Sequence, residues 1–186
     1  MPSNSTQKHE NEHKIILDLC GGTGAWSKPY KKAGYDVRLL DITKNCDVRF
    51  LPFHENVYGI LAAPPCRVFS LSGNRWMRTE AETRDALSIV DACLRIIALC
   101  KPKFWALENP VGKLKRYLGQ PRLVFDPCDF GDPYTKKTML WGDFNFPKFK
   151  PIFPSDGSRM HLKVRNPRKR AITPERFAKA FMEANR

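Results

Sequence analysis

The stretch from Lys14 to Trp26, "KIILDLCGGTGAW", decides the fold. Its first seven residues are a short apolar run bounded by glycines, which is typical of a buried strand in a parallel sheet. The glycines that follow predict a turn, and the residues up to "YKKAG" predict a short helix that Gly34 ends. We therefore expect a strand, a turn and a helix over residues 14–34.

The alternation of strands and helices continues along the chain. A long helix is predicted from Thr79, which has capping-box spacing to Glu82, to the residue before Pro102. Further strands are predicted at "YDVRLLD", "NVYGILAA", "KFWALENP" and "TMLWGDF". This order predicts an α/β, Rossmann-like fold with a mostly parallel sheet and helices on both faces.

Length and composition limit the class of protein. With 186 residues, 42% of them hydrophobic, the chain is long enough for one domain with a full core. It has no apolar run of membrane-spanning length and no apolar signal core in "MPSNSTQKHENEH", so we expect a cytoplasmic protein with no membrane partner. We expect a flexible N-terminus over 1–13, a catalytic domain over 14–145, and a basic segment over 146–186. That segment would end in a helix and pack on or extend the same domain.

The cysteines indicate free thiols. None of the six belongs to a Cys-x-x-Cys motif and none is beside a histidine, which disfavours a disulfide scaffold or a zinc site. We expect no metal. Burial in the core is the ordinary expectation for such thiols and suits Cys93 and Cys100.

The charge indicates a polyanionic partner. The formal net charge is +13, and residues 148–186 hold eleven Lys and Arg against three acidic residues. A solvated basic surface is the ordinary alternative. "KVRNPRKR", interleaved with proline and followed by a short helix, favours phosphate contact.

Four groups of functional residues follow predicted strands: Gly21–Gly24, Asp41, Pro64–Cys66 and Glu108–Asn109. Ligands of parallel α/β sheets bind at the carboxyl ends of strands, so we expect these groups on one edge. The glycine turn permits close backbone approach, and an acid at the end of the next strand suits a ribose diol. Neither a Gly-x-Gly-x-x-Gly motif nor a phosphate loop is present, which favours S-adenosylmethionine over NAD or ATP.

"LAAPPCRVFS", residues 61–70, places one thiol after two prolines. Such a loop holds Cys66 away from the core, and Arg67 beside it would favour the reactive thiolate. Glu108 at a neighbouring strand end would meet the thiol across the edge of the sheet. This pair suits covalent attack on an electron-poor ring, with the acid engaging a ring nitrogen. A structural thiol is the alternative for Cys66 alone.

The motifs together resemble the cytosine-5 DNA methyltransferase family in a minimal, phage-like form. "DLCGGTGAWS", Asp41, "CDVRF", "APPCRVFS", "LENP" and "YTKKTMLWG" occur in the family's order and spacing over residues 14–142. The likeness returns weakly at "RAITPERFAKAF".

The resemblance implies a role for each matching residue. Asp41 would bind the cofactor's ribose, Ile42 would pack on the adenine and Asp47 would accept from its amine. The other cofactor residues would be Asp18, Cys20, Gly22, Gly24, Trp26 and Pro64, with Cys20 where the family usually has an aromatic residue.

For the reaction, the resemblance implies that Cys66 adds to C6 of cytosine and Glu108 engages N3, which activates C5 for methylation. The cytosine would be flipped out of duplex DNA. Nucleic-acid contacts are expected from Arg67, Ser70, Arg165, Arg168, Lys169 and Arg170.

Three departures from the family pattern stand out. Glu-Asn-Val is "ENP" here, and the Gln-x-Arg-x-Arg segment is "PYTKKT", where Lys137 occupies one arginine position and Thr135 the other. Lysine keeps the charge without the bidentate geometry. Only about 28 residues lie between Gly142 and Arg170, too few for a separate recognition domain. A specificity partner protein is one way to supply the missing recognition of a target sequence.

Other functions stay open. "DPY" at 132–134 resembles part of the motif of amino-group methyltransferases but lacks a proline. The chain could be a catalytically impaired nucleic-acid-binding protein of the same fold. It could also act on RNA or a free nucleotide, or transfer a group other than methyl.

Overall fold

The computed structural model describes residues 10–71, 78–159 and 166–186. One six-stranded sheet organises the chain, in the order β2-β1-β3-β4-β6-β5. Its strands are β1 (Ile15–Leu19), β2 (Asp36–Leu40), β3 (Val57–Ala62), β4 (Phe104–Pro110), β5 (Leu123–Phe125) and β6 (Thr138–Asp143). The first four are parallel to one another, whereas β6 runs antiparallel to both β4 and β5. The predicted α/β fold with a mostly parallel sheet is confirmed.

The helices are α1 (Lys28–Lys32), α2 (Glu80–Cys100), α3 (Lys115–Leu118), α4 (Pro167–Arg170) and α5 (Glu175–Ala184). Short 3-10 turns lie at Ile42–Lys44, Val48–Phe50, Pro127–Phe130 and Gly157–Arg159. In the part of the chain that the structure describes, no helix combines the length and apolar character needed to cross a membrane.

Helix α2 begins as its sequence predicts. The Thr79 hydroxyl accepts the Glu82 N–H at 3.1 Å and the Glu82 carboxylate accepts the Thr79 N–H at 2.9 Å, which completes the capping box. Lys101 ends the helix in the left-handed region, with φ 45°, before Pro102. Val90, Cys93 and Ile97 lie on its buried face.

Both faces of the sheet are covered. Alternate residues of a strand point to opposite faces, and Leu17 and Leu19 belong to the cluster under α2 whereas Ile16 belongs to a second cluster. The second cluster contains the fully buried rings of Phe177 and Phe181 from α5. The prediction of helices on both faces is therefore confirmed, and α5 packs on the face opposite α2.

The strand order places a crevice at the carboxyl ends of β1 and β3. The chain leaves β1 for β2 on one side and returns to β3 on the other, so the loops after these strands diverge. Because β6 is antiparallel, its first residue, Thr138, pairs with Pro110 at the end of β4. The residues that precede Thr138 thus reach the same edge as the loops after β1, β2 and β3.

Candidate active site

The glycine turn after β1 leaves room for a ligand. Cys20, Gly22 and Gly24 all have positive φ, at 56°, 54° and 71°. A Cβ atom added at Gly22 would find no heavy atom within 4 Å, so open space lies in front of this residue. The backbone of the turn can therefore approach a ligand closely.

Asp41 ties the glycine turn to the loop after β2. One of its carboxylate oxygens accepts the Gly22 N–H at 2.8 Å, and the other accepts the Thr43 N–H and hydroxyl at 2.9 and 2.6 Å. Burial acts to raise the pKa of Asp41, but these hydrogen bonds outweigh it and the pKa is lowered. The group is therefore an anion, and a carboxylate offers about four acceptor positions, of which three are used.

Asp18 and Trp26 lie beneath this surface. Asp18 is fully buried and accepts a hydrogen bond from the Ser27 hydroxyl, while its other oxygen has no partner among the described residues. Burial raises its pKa to about 7. The Trp26 ring is only 2% exposed and packs on Phe177 and Phe181. Both residues thus support the turn from the core, and their expected contact with a cofactor stays a prediction.

Of the two residues expected around an adenine, one is available for contact and the other is already paired. Ile42 is 67% exposed, which leaves its side chain available for packing. Asp47 instead forms an ion pair with Arg49 at 2.6 Å, and Arg49 also contacts Asp85 at 2.7 Å. The expected acceptor for an adenine amine is therefore already engaged by a guanidinium.

The loop that carries Cys66 is anchored at both ends. The Ala63 N–H donates to Leu19 in β1 at 2.9 Å, and the Cys66 carbonyl accepts the N–H groups of Phe69 and Ser70 at 3.1 and 2.9 Å. Ser70 also forms a bridge with Gly112, where an added Cβ would lie 1.9 Å from the Phe69 carbonyl oxygen. Ser70 is only 7% exposed, so its expected role in nucleic-acid contact is replaced by one in closing this loop.

A buried hydrogen bond joins the Cys66 loop to β4. The side-chain amide of Asn109 donates to the carbonyl oxygen of Pro64 at 3.0 Å. Pro64 is itself buried, whereas Pro65 is exposed. Asn109 was expected at this edge, but its specific contact could not be predicted from the sequence.

Glu108 lies close enough to Cys66 to affect the protonation of the thiol. Burial raises the pKa of the Cys66 thiol, and the Glu108 carboxylate raises it further. Burial also raises the pKa of Glu108. The pair therefore consists of a thiol and a carboxyl group that each hold their proton more tightly than in water.

The positive charges beside this pair differ from those expected. Lys136 lowers the pKa of both Cys66 and Glu108, and Arg170 lowers that of Cys66. Lys137 is exposed and faces Asp126 at 3.7 Å. Lys136 thus replaces Lys137 as the cation of the site, because successive residues of an extended segment point to opposite sides.

Arg67, next to Cys66 in the chain, acts on a different group. It is exposed, and its charge acts on Glu82 at the start of α2. The expectation that Arg67 promotes thiolate formation at Cys66 stays a prediction, and the cations that lower the pKa of this thiol include Lys136 and Arg170.

The remaining basic residues expected to contact nucleic acid belong to the stretch 165–170. Arg170 reaches the site and is half-buried, while its neighbour Lys169 is exposed on α4. Arg165 lies outside the described residues, and of Arg168 only the backbone, within α4, is described.

Comparisons with known proteins give a related sequence and a similar structure. No protein-family model matches the chain. The chain is 27% identical over 169 residues to the Type II methyltransferase M.DdeI of Desulfomicrobium norvegicum, with a match that covers 68% of this chain and 39% of that protein. The chain thus spans well under half of the length of this relative.

A crystal structure of a DNA modification methyltransferase encoded within an E. coli prophage is also similar. It superposes with a TM-score of 0.47 at 15% sequence identity and covers 75% of this chain and 53% of that one. The chain that matches the Type II methyltransferase has a Rossmann-like sheet, and its candidate site lies at the carboxyl ends of the parallel strands. By sequence the chain is thus similar to a Type II methyltransferase over about two thirds of its own length.

Proposed function

We propose that the chain transfers a methyl group from S-adenosylmethionine to C5 of cytosine in DNA, through a covalent bond between Cys66 and C6. The observation that carries the proposal is that the Cys66 thiol and the Glu108 carboxyl group lie near the carboxyl ends of two neighbouring strands, β3 and β4. The Asn109–Pro64 hydrogen bond at 3.0 Å holds their two segments together. The Glu108 carboxylate raises the pKa of the Cys66 thiol, which places the two groups within electrostatic reach.

The residues around the glycine turn fit the proposed cofactor. Asp41 has one unused acceptor position at the end of β2, which suits a ribose hydroxyl. The open space at Gly22 and the exposed side chain of Ile42 provide room and an apolar surface for the nucleoside. Bound here, S-adenosylmethionine supplies an electrophilic methyl group.

The chain's own groups account for activation of the base. The Cys66 sulfur forms a bond to C6 of cytosine, and the raised pKa of Glu108 keeps a proton available for N3. Electron density then accumulates at C5, where the methyl group is received. The C5 proton is then lost to a solvent base, the N3 proton returns to Glu108, and the C6–sulfur bond breaks with its electron pair on sulfur, which restores the aromatic ring, the carboxyl group and the thiolate.

Lys136 and Arg170 favour the nucleophilic form of Cys66. The thiol's pKa is raised by burial and by Glu108, and the two cations oppose this. While Glu108 holds its proton in a hydrogen bond to N3 of a bound base, no carboxylate charge lies beside the sulfur. The two cations then dominate, so base binding promotes attack.

Methyl transfer from labelled S-adenosylmethionine into unmethylated duplex DNA tests this function. We expect label as 5-methylcytosine with the wild-type protein and none with Cys66→Ser. Cys100→Ser is the matched control, because Cys100 is also a free thiol and ends α2 just before the amino-terminal end of β4, at the opposite edge of the sheet.

The same assay separates the alternatives. Transfer into tRNA or dCMP but not DNA would replace the substrate. Transfer as N4-methylcytosine, or transfer that survives Cys66→Ser, would overturn the covalent mechanism. DNA binding without transfer to any of these substrates would indicate a binding protein.

A further inference from the structure

A cationic cleft opens beside the proposed active site. Its volume is about 300 Å³, and its lining includes Ala25, Lys28, Tyr134, Lys169, Thr173 and Glu175. Ala25 and Lys28 come from the segment after the glycine turn. Lys169 belongs to α4, Glu175 begins α5, and Thr173 lies between the two helices. The cleft thus lies where the C-terminal segment meets the loop after β1.

Two short segments connect the cleft to Cys66. Tyr134 lines the cleft, and Lys136, two residues further on, acts on the Cys66 thiol. Likewise Lys169 lines the cleft, and its neighbour Arg170 acts on the same thiol. The cleft and the two cations that act on the thiol are therefore carried by the same two short segments, residues 134–136 and 169–170.

The lining suits an anion. Among the residues that the structure describes, Lys28 and Lys169 form no ion pair with a carboxylate, and both are exposed. Glu175 is the one acidic residue of the lining. Burial raises the pKa of Tyr134 to about 12, which keeps its hydroxyl protonated as a donor at neutral pH.

Helix α5 adds to this preference. It has ten residues and begins after Pro174, which provides no side-chain cap. Its first N–H groups therefore remain available beside the cleft, and the helix dipole favours negative charge there.

We infer that this cleft binds a backbone phosphate of the nucleic acid next to the target cytosine, with Lys28 and Lys169 as its principal contacts. The inference rests on the proposed function for the position of the base. The basic C-terminal segment would then make one defined phosphate contact near the active site, in addition to its non-specific electrostatic attraction to DNA. Such a contact fixes the position of the strand without reading its sequence.

The double substitution Lys28→Gln and Lys169→Gln tests the inference by binding alone. Equilibrium binding of a fluorescent DNA duplex is measured over a range of salt concentrations, and binding of S-adenosylmethionine is measured separately by calorimetry. We expect weaker DNA binding and a salt dependence shallower by about 0.9 in the log–log slope, the value for one phosphate. Cofactor affinity should not change.

The matched control is Lys101→Gln with Lys103→Gln. These two residues flank Pro102 at the opposite, amino-terminal end of β4, and their substitution removes the same charge. A loss of DNA affinity no larger than in this control would overturn the inference. So would a loss of cofactor affinity with DNA binding intact, which would assign the cleft to the carboxylate of the cofactor.

Failure of the proposed function gives a different pattern. If the wild-type protein binds DNA but transfers no methyl group, while the double variant loses affinity and slope, the cleft assignment stands and the enzyme assignment falls. If the wild-type protein binds no DNA, the cleft assignment is overturned too.

Discussion

The side-chain amide of Asn109 donates a hydrogen bond to the carbonyl oxygen of Pro64 at 3.0 Å, inside the protein. Asn109 belongs to β4 directly after Glu108, and Pro64 lies two residues before Cys66. This one contact therefore sets the position of the thiol relative to the carboxyl group. It explains how two loops from different strands present a matched pair of reactive groups.

Substitution Asn109→Ala should impair catalysis more than it impairs folding. The Pro64 carbonyl would lose a buried donor, which costs about 1–3 kcal/mol of stability in urea unfolding. In the methyl-transfer assay we expect a lower kcat with an unchanged KM for S-adenosylmethionine, because only the Cys66 loop moves. If kcat falls no further than in a core variant that loses more stability, such as Phe177→Ala, the positioning role is wrong.

Lys136, and not Lys137, should control the reactivity of Cys66. Lys136→Gln removes a charge that lowers the pKa of the thiol, so this pKa should rise. Lys137→Gln should leave the thiol unchanged, because Lys137 faces Asp126. The measurement is the rate of Cys66 alkylation against pH, followed by peptide mass spectrometry. Equal effects of the two substitutions would contradict the assignment.

Glu108→Gln should have opposite effects on the thiol and on catalysis. Removing the carboxylate removes a charge that raises the pKa of Cys66, so alkylation should begin at lower pH. Methyl transfer should nevertheless fall, by about 10²- to 10⁴-fold for the loss of a general acid. A variant with wild-type activity would exclude Glu108 as the group that engages N3.

Asp18 should make stability depend on pH. Burial raises the pKa of its carboxyl group from 3.8 to about 7, so the folded state binds the proton more tightly than the unfolded state. This contribution to the free energy of unfolding is complete below about pH 4 and is lost as pH rises to about 7.

Asp18→Asn keeps an acceptor for the Ser27 hydroxyl and removes the titration. Wild-type stability relative to this variant should therefore fall by as much as about 1.4 kcal/mol per pH unit within that interval. The readout is the slope from urea unfolding at several pH values, since the amide adds a constant offset. Parallel pH profiles for the two proteins would contradict the raised pKa.

The C-terminal helix should be essential for stability. The Phe177 ring is fully buried and stacks on Phe125 with centroids 4.2 Å apart. Phe177→Ala should cost about 3–5 kcal/mol in urea unfolding. Phe153→Ala removes the same atoms from a side chain that is 84% exposed and should change stability by less than about 0.5 kcal/mol. Similar values for the two variants would show that α5 does not contribute to the core.

Local patterns were sufficient to predict much of the fold. The apolar runs predicted β1, β2, β3, β4 and β6, and the spacing of Thr79 and Glu82 predicted the start of α2. The three residues of β5 carry too short a pattern to be detected, and the direction of β6 depends on pairing with distant strands. The expected burial of Cys100 was only partly correct, since this residue is half-buried.

The sequence was sufficient to predict that Asp41, Cys66 and Glu108 lie at one edge of the sheet, because each follows or ends a predicted strand. Their roles in the reaction stay predictions. The choice between Lys136 and Lys137 depends on which side of an extended segment faces the thiol. The alternation of Tyr134, Lys136 and Thr138 ahead of a buried strand was the signal that could have revealed it. The burial of Trp26 had no local signal, because its partners Phe177 and Phe181 are about 150 residues away.

Covalent trapping tests the central claim most directly. DNA that contains 5-fluorocytosine has no proton at C5 to lose, so the bond between Cys66 and C6 should persist after methylation. We expect a complex that survives denaturation, requires S-adenosylmethionine and maps by mass spectrometry to the peptide with Cys66. No complex with a protein that methylates ordinary DNA, or a complex that persists in Cys66→Ser, would contradict the account.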